Sequence, residues 1–510
     1  MPEGGKMLSK LVSYGLEGLN GFAVDVEVDI SGGLPAFDIV GLADTAVKES
    51  KERVRSAIKN SGKKIIPAKI TVNLAPADVR KEGSFFDLPI ALGILKSSGQ
   101  LEADLSKTVI LGELSLDGTL RHVTGLLPTV ISAYKDGYTK FIIPKSNEKE
   151  ASFIDGVTVY AADSLKTVID HVSGINPIAP SPHREFSLER RNYTYSSDLS
   201  FVKGQKAAKR ALEVAVSGGH NILMVGPPGT GKTMLAKCIP TIMPDMTFEE
   251  ALECTKIHSV MGYIKADDGI LMERPFRSPH HTSTMISLTG GGSKIKPGEI
   301  SMAHNGVLFL DEMPEYSRQA LEALRQPLED GVVTVSRASG TVQYPANFML
   351  VASMNPCPCG NYGSHEKECT CAPAAIAKYR AKISGPLLDR IDIQVQVDNV
   401  KYDEMVSSAS GETSETVRER VNRTRLIQRE RFKNDGIIKN SDMGEKQIKK
   451  YCRLSEECEE ILKNSYIKLG LSARARSRIV KVARTIADMS LSENIRPEHI
   501  LEAVSYRHTD

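Results

Sequence analysis

Residues Gly226, Pro227, Pro228, Gly229, Thr230, Gly231, Lys232 and Thr233 read GPPGTGKT, the residue types and spacing of a phosphate-binding loop. The glycines let the backbone turn tightly and bring its N–H groups onto phosphate oxygens. Lys232 supplies a point charge for the β- and γ-phosphates, and the Thr233 hydroxyl is placed for Mg²⁺. The short apolar run Asn221 to Val225 before the loop predicts a buried parallel strand. From Met234 onward the sequence opens a helix whose positive dipole end faces the anion. ATP with Mg²⁺ is the ligand this arrangement implies.

Hydrolysis requires further groups. The apolar run Val307 to Leu310 predicts a second buried strand, ending in Asp311-Glu312. In an open α/β sheet, chemistry collects at the carboxyl ends of strands. Asp311 would hold Mg²⁺ through its water shell, and Glu312 would orient and polarise the attacking water. A third strand, Phe348 to Ser353, leads to Asn355, whose amide can hydrogen-bond the γ-phosphate or that water. Arg390 follows in Gly385-Pro-Leu-Leu-Asp-Arg and can neutralise charge on the transferred phosphoryl, a role often filled from a neighbouring subunit. Arg474, at the start of a late helix, is expected to reach the same nucleotide from a lid, with Arg476 as its competitor. The plain alternative for each arginine is a surface ion pair worth little.

The elements that must position these residues fall into segments. Residues 1–172 alternate strand and helix signals. Ala23 to Ile30 has the period of two of a half-buried strand, residues 43–60 are charged and helical, and Asp87 to Leu95 is an apolar helix. Thr108 to His122 reads as a hairpin turning at Asp117-Gly118. Residues 173–197 are rich in Pro and Ser and mark a linker. The nucleotide core is expected at 198–396 and a helical C-terminal domain at 397–510. The fold class is therefore α/β, with a helical end.

A chain of 510 residues accommodates two to four domains. Its net charge of only +2 means that any nucleic-acid surface is a local patch. No apolar run reaches the ~18 residues a membrane span needs, and the N-terminus lacks a secretion signal. A cytoplasmic location follows as an expectation, and thiols there stay reduced. Four of the eight cysteines cluster as Cys357-Pro-Cys359 and Cys369-Thr-Cys371. Two C-x-C pairs across a polar, Gly-rich loop suit tetrahedral Zn²⁺, with His365 as a substitute ligand. Free buried thiols are the competing interpretation.

In this order the motifs resemble the magnesium-chelatase-like AAA+ ATPases of the ComM/YifB type. The resemblance is carried by DLSFVKGQ (198–205), the phosphate loop, RPFRSPHHT (274–282), GVLFLDE (306–312), Asn355 and ISGPLLDRID (383–392). It implies a ring-forming ATPase, with an AAA+ core containing a parallel sheet and a helical C-terminal lid. Members of the ComM type are branch-migration helicases acting during uptake and recombination of transforming DNA. Lys232 and Thr233 then fall on the nucleotide loop, Asp311 and Glu312 on the hydrolytic strand, and Asn355 on the first sensor. Arg390 falls on the trans-acting finger and Arg474 on the second sensor. Residues 81–160 resemble the Lon proteolytic domain (the S5-type fold). However, Phe85 stands where the serine nucleophile belongs, with Ser84 offset by one, and Leu127 stands where the lysine base belongs. A serine without a positioned base is a poor nucleophile, so this domain is expected to be proteolytically inactive.

DNA contact is expected at two places. The stretch from 274 to 298 contains Arg274, Arg277, His280, His281, Lys294 and Lys296, no acidic residue, and a Gly290 to Gly292 tip, as a phosphate-tracking loop requires. Val332 to Val342 reads as a β-hairpin with Arg337 near its turn. Neither offers a base-reading pattern, so affinity would come from backbone charge and fall with salt. These readings converge on a homohexameric ring motor acting on DNA. The alternative is a chelatase-type ATPase that remodels a metal-insertion partner, and an ATP-dependent protease is the weakest choice.

Overall fold

The structure is a computed structural model, which describes residues 8–187, 197–266, 268–292, 295–337, 340–363, 367–400, 411–469 and 472–507. The chain forms two compact units, Met1–Ser187 with Ala251–Met272, and Leu188–Glu250 with Glu273–Asp510. These cut across the boundaries drawn from composition. Residues 251–272, expected in the nucleotide core, pack in the first unit, and the core and C-terminal helices share the second.

The first unit is built on a seven-stranded sheet. Its spatial order is Ala36–Val40, Lys69–Ala75, Asn20–Ser31, Ser9–Glu17, Thr108–Ile110, Lys140–Pro144, Thr158–Ala162. The alternation seen in the sequence is realised in Asn20–Ser31, where Val24, Val26 and Val28 are fully buried. Helices Thr45–Asn60 and Asp87–Ser97 bury apolar side chains with these valines. The expected hairpin pairs Glu113 with Arg121 and Leu114 with Leu120. The Ser84 hydroxyl donates to the Glu113 carboxylate. Leu127 is fully buried in the helix Leu126–Lys135, among apolar neighbours.

Ala251–Met272 is tied into this unit by polar contacts as well as packing. The Gly125 N–H donates to the Ser259 carbonyl at 3.0 Å, and the Ser259 hydroxyl donates to Glu150 Oε2 at 3.2 Å. Asn147 Nδ2 donates to the other oxygen of Glu150 at 2.5 Å. Burial pushes the Glu150 carboxyl up to about 7, against the opposing help of these hydrogen bonds.

The second unit carries a five-stranded sheet in the order Phe276–Arg277, Val307–Leu310, Met349–Met354, Ile222–Val225, Ile393–Gln396. Every neighbouring pair in it is parallel. Strands buried on both faces read as continuous apolar runs, which is why ILMV and VLFL could be picked out of the sequence. The C-terminal helices Ser414–Phe432, Ala473–Met489 and Pro497–Ser505 share a core with the strands and with helix Lys206–Gly218. Val421, Phe432, Ile479 and Ala503 are buried there beside Leu212, Val216 and Ile222. Among the described residues no helix is long and apolar enough to cross a membrane.

Because Glu150 binds its proton more tightly when folded than when unfolded, the folded unit holds more protons between about pH 4.5 and 7. Its stability should therefore fall as pH rises through that window and level off above it. Glu150→Gln is expected to remove this slope and to stabilise the first unit at pH 8 by on the order of 2–3 kcal/mol. Amide hydrogen exchange of peptides spanning 140–155 and 251–265, compared at pH 5 and pH 8 after correction for intrinsic exchange, measures it.

Candidate functional site

The carboxyl ends of three adjacent parallel strands gather most of the sequence-predicted catalytic residues. Ile222–Val225 runs into the phosphate loop, and helix Lys232–Ile242 starts at its end. Gly229 and Gly231 have φ of +82° and +88°, and a Cβ on either would meet no neighbouring atom within 4 Å. Glycine is there for backbone conformation, and the concave side of the loop stays open. Gly226 is constrained differently, because a Cβ there would lie 2.1 Å from the Val397 carbonyl oxygen. Thr230 Oγ1 donates to the Pro227 carbonyl at 3.0 Å, closing the loop from inside.

Lys232 Nζ donates to the carbonyls of Gly226 and Pro227, both at 2.7 Å, and to Asn355 Oδ1 at 3.3 Å. Burial lowers the Lys232 ammonium below its ordinary value, while Asp311 and Glu312 oppose this. Thr233 Oγ1 donates to Asp311 Oδ2 at 2.8 Å. The Ser353 hydroxyl donates to the other Asp311 oxygen and accepts from the Glu312 N–H at 3.1 Å. Glu312 itself adopts φ +52°, a left-handed turn that a non-glycine residue seldom takes. Lys232, Thr233, Asp311, Glu312 and Asn355 thus form one connected constellation.

The donor set suits a phosphate with a divalent cation. The first turn of a helix has unpaired N–H groups that serve an anion. Thr233 and Asp311 already face each other at hydrogen-bond distance and offer two hard oxygen ligands, as Mg²⁺ prefers.

Arg390 and Arg474 are brought together elsewhere. The pairing of Ile222 with Ile393 and Val225 with Gln396 is parallel. Gly226 follows the carboxyl end of one strand, whereas Arg390 precedes the amino end of the other. The two lie at opposite ends of a sheet about 13 Å across, at 3.3 Å per residue. Arg390 caps a cavity of about 780 Å³ that Arg474, Arg478, Lys439, Lys481 and Glu329 also line. Its guanidinium donates to the Pro386 carbonyl at 2.7 Å and to the Glu329 carboxylate, and its Nε is buried with no hydrogen-bond partner among the described residues. Arg474 is exposed in the first turn of helix Ala473–Met489. Arg476, its competitor, is tied to Glu459 at 2.7 Å. Neither Arg390 nor Arg474 belongs to the phosphate-loop end of its own chain.

The expected DNA contacts divide. Arg274 is nearly buried and committed to the carbonyls of Pro244 (2.6 Å) and Asn305 (2.7 Å) and to Glu250 (2.7 Å). Burial alone would raise the Glu250 carboxyl, but Arg274 holds it below its ordinary value. Arg277 makes a two-pronged pair with Glu299 at 2.6 and 2.8 Å. The acid-free stretch is answered by acids outside it, Glu299 directly after it and Glu250 well before it. Lys296 is exposed, and Arg337 is exposed at the end of its strand. Lys294 and His365 lie outside the described residues.

The hairpin forms as expected, pairing Val332–Arg337 with Gly340–Pro345. A Cβ on Gly291 would come within 3.0 Å of the Arg337 guanidinium, and Tyr344 Oη donates to the Ile295 carbonyl at 2.8 Å. Loop and hairpin therefore form a single ridge bearing Arg337 and Lys296. The glycine tip serves close backbone approach, because Gly290 pairs with Pro297 and a Cβ on it would strike the Lys296 carbonyl at 2.3 Å.

Sequence reasoning passed over three residues. Ser353 orients the Asp311 carboxylate and the Glu312 backbone, and it sits at the end of a strand that is otherwise an apolar run. Glu329 holds Arg390. Asn221 accepts from the Leu350 N–H at 2.8 Å and donates to the Arg390 carbonyl at 2.9 Å, fixing the arginine's place beside the sheet. Only Asn221 left a signal, as a polar residue directly before a buried strand.

The four cysteines come together, with sulfurs all within 4.8 Å of one another, and could hold a metal ion. None is in a disulfide.

Comparison with known proteins agrees with this architecture. Residues 198–405 match the family described as magnesium chelatase, subunit ChlI. Residues 26–147 match subunit ChlI of Mg-chelatase, and 411–507 its C-terminal family. The chain is 44% identical to the uncharacterized protein YifB of Escherichia coli over 497 residues, 97% of this chain and 96% of that one. It is 44% identical to the competence protein ComM of Haemophilus influenzae over 491 residues, 95% and 94% of the two chains. A shorter match, 24% identical over 198 residues, is to Lon protease 2 of Bacillus subtilis, covering 36% of this chain and 35% of that one. The chain belongs to the magnesium-chelatase-like AAA+ ATPases of the ComM/YifB type.

Proposed function

We propose that this ATPase is a homohexameric ring motor that acts on DNA in the cytoplasm, as a branch-migration helicase in recombination or natural transformation. The observation that carries the proposal is the split site. The phosphate loop and hydrolytic acids lie at one end of a parallel sheet, and Arg390 and Arg474 lie at the other. A single chain cannot bring these halves to one phosphate. A neighbour related by a head-to-tail rotation can, and such contacts close into rings.

In each shared site Lys232 binds the β- and γ-phosphates, and the loop N–H groups orient them. Thr233 and Asp311 would hold Mg²⁺, with Ser353 fixing the Asp311 carboxylate. The magnesium ion, when bound, neutralises charge on the β- and γ-phosphate oxygens. Glu312 orients the attacking water and takes its proton, and Asn355 positions that water or the γ-phosphate. Arg390 and Arg474 of the next protomer neutralise charge developing in transfer. The ridge bearing Lys296 and Arg337 contacts the DNA backbone, and the name of the ComM relative, a competence protein, supports a DNA substrate. The family descriptions favour a second reading, a chelatase-type motor for a metal-insertion partner.

ATP hydrolysis measured with forked, branched and duplex DNA distinguishes them. DNA should raise the rate, and the effect should fade as salt rises. Indifference to all three DNAs, with stimulation by a porphyrin-binding partner, would favour the chelatase reading. Lys296→Ala and Arg337→Ala should each reduce the slope of log affinity against log salt by about 0.9 if each contacts one phosphate. Arg274→Ala should instead lower stability, because it takes the nearest cation from Glu250, leaving Thr247 N–H and the more distant Arg429.

Lys232→Ala is expected to lose nucleotide binding. Glu312→Gln should bind ATP and hydrolyse it about 10²–10⁴-fold more slowly. Arg390→Ala should bind ATP yet lose about 10³-fold or more in turnover. Mixing Arg390→Ala with Lys232→Ala protomers should restore part of the activity, since each supplies the half-site that the other lacks. No recovery in mixed assemblies verified by native mass spectrometry would mean that the arginine does not act across an interface.

A further inference from the structure

Asn355 is followed at once by the cysteine loop. Cys357 and Cys359 leave the end of the strand, and Cys369 and Cys371 return to meet them. The Cys357 sulfur lies 3.4 Å from that of Cys359 and 3.6 Å from that of Cys369, and Cys359 lies 3.6 Å from Cys369. Four sulfurs at a Zn–S distance of about 2.3 Å stand about 3.8 Å apart along the edges of a tetrahedron. The cluster therefore fits one zinc ion with adjustments of a few tenths of an ångström for these three distances.

The backbone is arranged around the sulfurs as well. The Tyr362 N–H donates to Cys357 Sγ at 3.3 Å, and the N–H groups of Asn361 and Thr370 donate to Cys359. N–H donors aimed at sulfur stabilise thiolates and orient them as ligands. A cluster of neutral thiols packed for bulk would have no need of three such donors.

Directly after the first pair, Gly360 rests on the phosphate loop. Gly360 has φ +82°, and a Cβ there would lie 2.5 Å from Cδ and 2.8 Å from Cγ of Pro228. Pro228 is the third residue of GPPGTGKT. Two residues further on, the Tyr362 ring stands 5.3 Å from the Arg380 guanidinium. The backbone at Gly360 thus forms a wall under the phosphate loop, with no room for a side chain between them.

We propose that Cys357, Cys359, Cys369 and Cys371 bind one structural zinc ion, and that the loop it closes is the wall that holds the phosphate loop in its binding shape. The second half rests on the proposed role of that loop in binding ATP. The first half does not, since metal content is measured without nucleotide or DNA.

The test uses the full chain purified without chelators. Elemental analysis should find about one zinc per chain, and the Cys359→Ser/Cys371→Ser double variant should hold none. Cobalt(II) added to chelator-stripped protein should give the visible spectrum of a tetrahedral tetrathiolate, and the double variant should not. One iron per chain in place of zinc would overturn the assignment, as would zinc retained by the double variant or the absence of both zinc and the cobalt spectrum. For the wall, Gly360→Ala should keep its zinc while binding a fluorescent ATP analogue at least tenfold more weakly. Stripped protein, with its helix content checked by circular dichroism, should show the same loss and recover on adding zinc. Unchanged affinity in Gly360→Ala and in stripped, folded protein would refute the wall and leave the zinc site standing.

Discussion

Parallel pairing gives the central sheet two chemically different ends, and the register of Ile222–Val225 on Ile393–Gln396 assigns one group of residues to each. Backbone geometry at the carboxyl end feeds Ile222–Val225 directly into the phosphate loop, and neighbouring strands deliver Asp311, Glu312 and Asn355 to the same edge. At the amino end Asn221 bridges two strands through its amide, donating to the Arg390 carbonyl and accepting from Leu350. That one side chain fixes where Arg390 can be. With the register set, no rotamer change moves a guanidinium across a whole strand length to its own phosphate loop. On the proposed reading, the polarity of the sheet is what requires a second copy, and the C-terminal helices that carry Arg474 are held at the arginine end by a core shared with helix Lys206–Gly218.

Much of the catalytic end was legible because it is local in sequence. A glycine pattern, an apolar run and a terminal acid are each a few residues long, and the physics linking them acts within those residues. The arginine pocket was legible only by type. Arg390 and Arg474 are 84 residues apart, and nothing in their spacing tells that helix Ala473–Met489 begins beside the end of ISGPLLDRID. The amino-terminal strand alternation was also readable, but the placement of Ala251–Met272 in that unit was not. Its anchors are a backbone carbonyl, a serine hydroxyl and a buried glutamate more than 100 residues away, and no local pattern records such contacts.

Charge was the least reliable guide. Counting residues 274–298 finds cations and no acids, which suits a polyanion. Yet Arg274 and Arg277 are satisfied by Glu250 and Glu299, one of them just beyond the counted stretch and the other 24 residues upstream. A guanidinium that is buried needs several acceptors at once, and Arg274 finds them in two backbone carbonyls and a carboxylate. Among the described residues, Lys296 and Arg337 remain exposed, and they sit where hairpin and loop meet at Gly291. What sequence separates into two candidate elements is one surface. Among the described residues its exposed charge is gathered in one place.

Glu329 gives the split site a further property. Arg390 is 8% exposed while its partner Glu329 is 57% exposed, so the two halves of the ion pair differ in what separation costs. Glu329 can return to water with little loss, since exposed pairs are worth little. Arg390 is already desolvated, and its Nε has no hydrogen-bond partner among the described residues. A triphosphate offered by a neighbour carries more charge than one carboxylate, and it can take bidentate donors from a guanidinium already turned toward the cavity. On the proposed reading, Glu329 keeps the arginine oriented and neutralised in the separate protomer and yields it to polyphosphate on assembly. A neighbour that arrives without nucleotide would leave the Arg390–Glu329 pair intact, whereas one that carries a triphosphate would compete with Glu329 for the guanidinium. Ring closure and nucleotide occupancy would be coupled through this one ion pair, with no large rearrangement of the sheet that holds it.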